Sequence, residues 1–293
     1  FNKANKIEVL IKDEQIINKL KKMFRNEMHE FLTQSLLIYH GYIKPRGYPG
    51  DYQIIEAMYD NKSISKNIGF FLDKYFLQDD YVKAVRDRKN KMKIILEQFI
   101  NKYDSSRIRI LNLACGSCKE IRELLHENFA AKKNIDLILL DQDRRALNFA
   151  KKEIRNVPKN WKISFLQENI LNFLQLKYYL KKHFGEFDLI YSIGLADYLP
   201  SSVLGLMIKY NFDILSEKGE FIVAHKNIRE FSSPVSDWGA DWKFLPRDIR
   251  EFRGLIKKFI EKKYFLNYFF EKNKLIYFIL LSNYQIDYSS YLK

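Results

Sequence analysis

One stretch restricts the fold of this chain more than any other: Arg109-Ile-Leu-Asn-Leu-Ala-Cys-Gly-Ser-Cys-Lys-Glu-Ile-Arg-Glu. An apolar run from Ile108 to Leu113, broken only by Arg109 and Asn112, meets a turn of small residues at Ala114 to Ser117. An amphipathic helix then opens around Lys119. A buried strand, a tight loop and a helix start in that order form a place where backbone N–H groups approach a ligand and the helix end favours negative charge. Gly116 is the loop's one glycine, so the motif gains its force from the strands downstream of it.

The second strand reads Ile135 to Leu140 and ends on Asp141, whose carboxylate can accept hydrogen bonds from ribose hydroxyls. The third, Lys162 to Gln167, ends on Glu168-Asn169, and the fourth, Phe187 to Ser192, ends in a loop at Gly194. The fifth, Glu220 to Ala224, comes after a Lys218-Gly219 turn. Arg247 to Ile260 reads as a last helix; Tyr264 to Phe270 and Leu275 to Leu281 then read as two strands joined by Glu271-Lys-Asn-Lys. Strands alternating with helical segments predict an α/β fold, a doubly wound, mostly parallel, seven-stranded sheet. Ligands on such sheets sit beyond the carboxyl ends of the strands, where the polar residues just named fall.

This pattern resembles the class I S-adenosylmethionine-dependent methyltransferases. The resemblance implies a Rossmann-like methyltransferase fold with S-adenosyl-L-methionine as cofactor and S-adenosyl-L-homocysteine as product. It assigns the methionine part to the loop of Asn112, Ala114, Cys115 and Gly116, the ribose to Asp141 and the adenine to Glu168 and Asn169. Gln142 and Ser192, at the ends of strands two and four, complete the expected sheet-edge set. The chain departs from the family where Ala114 and Cys118 replace the usual first and third loop glycines and Asn112 replaces the usual acid. A nicotinamide site would want a fuller Gly-x-Gly-x-x-Gly, which is absent.

Residues 1–104 are expected to form a helical N-terminal cap that closes over the substrate, with the methyltransferase domain over 105–293 and a boundary where Asp104-Ser105-Ser106 breaks the pattern. Apolar residues recur at helical spacing from Lys6 to His40, and Ser65 to Asp73 and Asp79 to Tyr103 read similarly. Within the cap, Lys44-Pro-Arg-Gly-Tyr-Pro-Gly-Asp-Tyr-Gln fixes a turn, and Asp51 can cap the next helix. The same loop can present Arg46, Tyr48, Asp51 and Tyr52 to a ligand, Arg46 pairing with a carboxylate of cofactor or substrate. After strand four, where methyl acceptors usually sit, come Asp197 and Tyr198; His225 follows strand five, and Trp242 lies farther on. Asp51, Asp197 and His225 are the candidate catalytic residues, Arg46 and Tyr48 additional cofactor contacts, and Tyr52, Tyr198 and Trp242 candidate substrate contacts.

Gly47-Tyr-Pro-Gly-Asp-Tyr, Tyr191-Ser-Ile-Gly-Leu-Ala-Asp-Tyr-Leu and Asp241-Trp-Lys together resemble a narrower bacterial group, from about Gly47 to Leu255. Its members are associated with biosynthesis of 3-hydroxypalmitic acid methyl ester, a fatty-acyl signal. That resemblance implies a carboxylate oxygen as acceptor, which is ionised at neutral pH and needs no general base. An amine or hydroxyl acceptor would need His225, Asp197 or Asp51 as base.

Composition fits this reading. Lysine and arginine exceed acids by 14, which suits solvated helix faces or an anionic partner such as nucleic acid, a lipid head group or an acidic protein. No stretch reaches the ~18 uninterrupted apolar residues of a spanning helix, and a cytoplasmic location is expected. Cys115 and Cys118 form a lone C-x-x-C, and no metal site is expected there. The other readings are a protein or RNA methyltransferase, a cofactor-binding regulatory or scaffold protein, and transfer of the cofactor's aminocarboxypropyl group.

Overall fold

The computed structural model describes residues 1, 3–127, 133–227, 233–286, 288 and 291. The chain divides into two compact units, Phe1–Arg86 with Glu230–Phe244, and Asp87–Arg229 with Leu245–Lys293. The division falls inside the long helix α7 (Asp80–Lys102), not in the Asp104-Ser105-Ser106 break, and residues 230–244 join the N-terminal unit.

The second unit is built on one seven-stranded sheet in the order β3-β2-β1-β4-β5-β7-β6. β1 (Arg107–Leu113), β2 (Asn134–Asp141), β3 (Trp161–Gln167), β4 (Phe187–Ser192) and β5 (Leu215–Lys226) are parallel; β7 (Ile276–Ser282) runs antiparallel between β5 and β6 (Phe265–Phe270). Strands buried on both faces need near-continuous apolar runs, which Ile135–Leu140 and Ile276–Leu281 supply. The chain winds outward from β1 through β2 to β3, then returns to place β4 on the other side of β1. That reversal opens a crevice beyond the carboxyl ends of β1 and β4.

The core on one face joins α10 (Phe173–Phe184), α11 (Ser201–Phe212) and α12 (Ile249–Phe259) to the sheet through Leu176, Leu180, Met207, Ile208, Phe252 and Ile256. Helix α12 begins with a reciprocal capping box between Asp248 and Glu251, which satisfies end N–H groups that would otherwise lack partners. The fifth strand starts earlier than its sequence pattern suggests and carries Lys218-Gly219 inside it. There the register with β4 shifts, and a Cβ on Gly219 would lie 2.6 Å from the Phe187 carbonyl oxygen, so only glycine lets the strands approach.

The first unit is helical: α1 (Ala4–Leu10), α2 (Glu14–Glu27), α3 (His29–Leu32), α4 (Leu36–Ile43), α5 (Tyr52–Asp60) and α6 (Asn67–Leu77). The apolar periodicity from Lys6 to His40 is thus broken into four helices. Asp13 and Ser35 each accept backbone N–H bonds as N-caps and so restart the helix. Asp73, fully buried on α6, accepts from the Ser35 hydroxyl at 2.6 Å and from the Ile64 and Ser65 N–H groups at 2.9 Å each. Residues 233–244 pack into this unit: Lys21 meets Asp237, the Trp238 indole donates to Glu8 at 2.6 Å, and the Ser233 hydroxyl donates to Asp79 at 3.0 Å.

Candidate active site

The loop after β1 holds three alternate positions in the left-handed region, Ala114 at φ +53°, Gly116 at +54° and Cys118 at +53°. The family's missing glycines have left their backbone conformation behind, and Ala114 and Cys118 adopt it against the steric preference of an L-residue. A Cβ on Gly116 would meet nothing within 4 Å, so the loop's middle is open towards a ligand. Helix α8 (Lys119–His126) starts directly after the loop, its N-terminal dipole facing the same crevice. The Cys115 and Cys118 thiols are buried, which pushes both pKa values up and keeps them protonated.

Asp141 ends β2 beside that loop. Its Oδ2 accepts from the Gly116 N–H and its Oδ1 from the Asp143 N–H, each at 2.8 Å, and burial raises its pKa. A carboxylate has about four acceptor directions, so capacity remains for ribose hydroxyls. Gln142 is exposed next to it. Glu168, half-buried, donates its N–H to the Asp141 carbonyl at 3.1 Å, bringing the ends of β2 and β3 together. Asn169 is exposed and accepts from the Leu171 N–H at 2.9 Å, shaping the turn into α10. The Ser192 hydroxyl is fully buried and donates to the Leu113 carbonyl at 3.0 Å, fastening the end of β4 to that of β1. The structure therefore brings Ala114, Cys115, Gly116, Asp141 and Glu168 around one crevice, and these residues fit a nucleoside with an amino-acid tail.

Sequence reasoning missed Glu120. Its Oε1 accepts from Asn112 Nδ2 at 2.9 Å and from the Tyr191 hydroxyl at 2.8 Å, and burial raises its pKa. The acid absent from position 112 is thus replaced by one from the first turn of α8. An acid at 112 would put two buried carboxylates in contact, so asparagine follows from Glu120. The clue was an acid on the apolar side of an amphipathic helix.

A second cluster lies beyond β4 and β5. Asp197, in the single turn Ala196–Tyr198, is buried with His225 and Lys226. Its Oδ1 accepts from His225 Nδ1 at 2.5 Å and from the Lys226 N–H at 2.8 Å, while Oδ2 faces Lys226 Nζ at 3.1 Å and Arg88 at 3.9 Å. Arg247 donates to His225 Nε2 at 3.2 Å and to the Leu199 carbonyl at 2.7 Å. With the Arg247 guanidinium donating to Nε2, Nδ1 is left to donate to the Asp197 carboxylate. Burial opposes ionisation of Asp197, but Lys226, His225 and Arg88 outweigh it and hold the carboxyl far below the usual range. Burial brings Lys226 down to about 7, against the pull of Asp197. Tyr198 is half-buried, with Lys226 Nζ 5.6 Å from its ring centre. His225 does not follow strand five, as its sequence pattern suggested; it lies inside β5, while its partners Asp197 and Arg247 lie outside that strand. Sequence reasoning also passed over Lys226 and Arg247, whose signal was a lysine at the end of an apolar strand and an arginine before a capped helix.

The remaining candidates belong to the helical unit. Asp51 N-caps α5 through the Gln53 N–H at 2.9 Å, and its Oδ2 meets His40 Nε2 at 2.7 Å. Burial raises its pKa, but the His40 contact and the two cap N–H groups prevail and lower it. Arg46 Nη2 donates to Gln53 at 3.2 Å, and its guanidinium lies 5.5 Å from the Tyr52 ring centre. Tyr48 is half-buried in the same loop, which turns at Gly47 with φ +81°. Trp242 is fully buried, against Gly41 of α4 and the Phe244 ring at 5.8 Å.

Known proteins share this architecture. Over 83% of this chain and 85% of the other, the fold superposes on a possible exported protein from Bordetella parapertussis with a TM-score of 0.61 and 12% identity. It superposes on magnesium protoporphyrin IX methyltransferase from Synechocystis PCC 6803 with a TM-score of 0.52 and 9% identity, over 83% and 97% of the two chains. These likenesses show the fold. Comparison with curated proteins gives no match. A family profile described as a methyltransferase domain matches residues 104–273, more than half of the chain. With the doubly wound sheet and the crevice at its reversal point, that match shows that this chain belongs to the methyltransferase-domain family and is a methyltransferase.

Proposed function

We propose that the enzyme methylates a carboxylate oxygen of a small, lipid-like acceptor such as a 3-hydroxy fatty acid. Its cofactor is S-adenosyl-L-methionine, whose sulfonium supplies an electrophilic methyl group when bound. Asp141 would hold the ribose, with Gln142 beside it. The backbone of Ala114, Cys115 and Gly116 would hold the methionine end, with Asn112, set by Glu120, as its floor. Glu168 and Asn169 would border the adenine, and Ser192 keeps the two strand ends in register.

The observation that carries the acceptor class is the commitment of every candidate base. Asp197 is held as an anion too weakly basic to take a proton at neutral pH. His225 has a donor on its imine nitrogen, and Asp51 is occupied by His40 and by the cap of α5. A carboxylate acceptor needs none of them, because it arrives ionised. Catalysis then rests on alignment and exclusion of water. Asp197 and His225 become positioning residues that orient Lys226 and Arg247, cations suited to an acidic acceptor. Tyr198, half-buried beside Lys226, would supply apolar surface for its chain.

The test is methyl transfer from labelled cofactor to long-chain 3-hydroxy acids and to matched amines and alcohols, read by product mass. Methyl ester is expected, with no rise in rate between about pH 6 and pH 9, since no acceptor proton is removed, and a fall as Lys226 loses its charge through about 7. Product on the amine or alcohol alone, or a rate that climbs with pH across that window, overturns the carboxylate reading. A product carrying an aminocarboxypropyl group overturns methyl transfer itself.

A further inference from the structure

Helix α6 of the helical unit buries Gly69, Asp73, Phe76 and Leu77 and leaves its opposite side apolar. Ile64 and Ile68 are each 49% exposed, Phe71 is 69% exposed and Tyr75 47%. Their spacing of four, three and four residues draws one stripe along a helix and its lead-in. Leu36, 49% exposed, extends the stripe onto α4, its N–H bonded to the Ser65 hydroxyl at 2.7 Å. Residues so exposed contribute little to the unit's own core, and together they make a contiguous apolar surface in want of an explanation.

Between the flanking acids Asp60 and Asp79, exposed charge along the stripe has one sign. From Asn61 to Gln78 the chain carries Lys62, Lys66 and Lys74, all exposed, and a single acid, Asp73. Asp73 is fully buried and spent on Ser35, Ile64 and Ser65. Lys74 Nζ lies 4.6 Å from the Phe70 ring centre, its stem following the apolar surface while its head stays at the rim. The platform is also firm: a Cβ on Gly69 would lie 1.9 Å from the Gln34 carbonyl oxygen, so α6 is pressed against the chain beneath it.

We infer that the α6 face docks on an anionic lipid bilayer surface, with Ile64, Ile68 and Phe71 entering the acyl boundary and Lys62, Lys66 and Lys74 meeting the head groups. An apolar stripe rimmed by lysines is the composition of a helix lying in the membrane interface. Leu36, Ile64 and Ile68 beside the rings of Phe71 and Tyr75 favour lipid over nucleic acid, which would call for polar readers among the rings. The chain's net charge of +14 adds long-range attraction to an anionic surface. No helix among the described residues is long and apolar enough to cross a membrane, so the contact is peripheral. This inference does not depend on which atom is methylated.

The experiment is co-sedimentation of the full chain with phosphatidylcholine vesicles and with vesicles in which phosphatidylglycerol replaces part of the phosphatidylcholine. Binding to the anionic vesicles is expected to be roughly 10-fold tighter or more and to weaken with salt. The double substitution Ile68→Ser, Phe71→Ser should cut that binding by about 10-fold or more, with an unchanged melting temperature because both side chains are exposed. The triple substitution Lys62→Glu, Lys66→Glu, Lys74→Glu should abolish the preference for anionic vesicles. No binding to either vesicle, or binding that survives both variants, overturns the inference. A concentration-dependent dimer that dissolves in the Ile68→Ser, Phe71→Ser variant also overturns it, because the face would then cover a second copy.

Discussion

Ala114 shows how a residue can depart from a family pattern and still obey its geometry. Its φ of +53° costs an L-residue about 1–2 kcal/mol, more than the extra chain entropy of about 0.5–1 kcal/mol that glycine brings to the unfolded state. Ala114→Gly should therefore raise stability by up to about 1 kcal/mol, read as a higher melting temperature; a fall would mean that the methyl group packs usefully. Asp141 is the residue on which cofactor affinity should depend most. Asp141→Ala removes an acceptor that the Gly116 N–H also uses, and a hydrogen bond to a charged group is worth about 1.5–3 kcal/mol. Calorimetric titration with S-adenosyl-L-homocysteine should show a loss of roughly 10-fold to 100-fold; near-native affinity would remove Asp141 from the ribose site. Asp141 was legible because a strand that ends on an acid after an apolar run is a local pattern. Glu120 was not, because its partner Asn112 comes from the preceding strand and Tyr191 from a strand 71 residues on.

At the scale of elements, strands were easier to read than the caps and breaks between helices. β4 appears over the residues its apolar run marks, Phe187–Ser192, since a buried parallel strand needs that run and nothing else. The N-terminal helices were blurred because periodicity continues through Asp13 and Ser35, and only their side-chain bonds to N–H groups reveal a new start. β5 was misjudged at both ends: Gly219 reads as a turn but serves a close approach, and His225 reads as a loop residue but belongs to the strand. The consequence is energetic. The end of β5, the Ala196–Tyr198 turn and the segment before α12 are tied together by Asp197, His225 and Arg247. Breaking a buried charged network by removing one partner costs about 3–5 kcal/mol. Asp197→Asn should lower unfolding stability by that order in denaturant titration. It should also impair turnover more than cofactor affinity. A stability change under about 1 kcal/mol would show that Lys226 and Arg247 find other partners.

At the scale of the whole molecule, the alternation of strand and helix was enough to foresee the doubly wound sheet, because local periodicity and the right-handed crossover leave few topologies. The division of the chain was harder to foresee. It falls within a continuous helix, α7, and residues 230–244 return to the helical unit through contacts far apart in sequence, such as Ser233 to Asp79 and Trp238 to Glu8. Another long-range tie sets the pH response of folding. Glu220 of β5 is buried, its oxygens accepting from the Tyr284 hydroxyl at 3.2 Å and the Tyr291 hydroxyl at 3.0 Å. Burial raises its pKa from 4.5 to about 7, against the pull of those two hydroxyls. Between these values the folded chain holds a proton that the unfolded chain has released. Stability from this group is therefore complete below about pH 4.5 and is lost as pH rises through about 7. The full difference is about 3 kcal/mol at 1.36 kcal/mol per unit. Glu220→Gln keeps a neutral side chain of the same shape, so its unfolding free energy should fall less than the parent's as pH rises from about 5 to about 7.5. Parallel pH profiles for parent and variant would mean that Glu220 is solvated in the native state, and that the C-terminal tyrosines do not seal it.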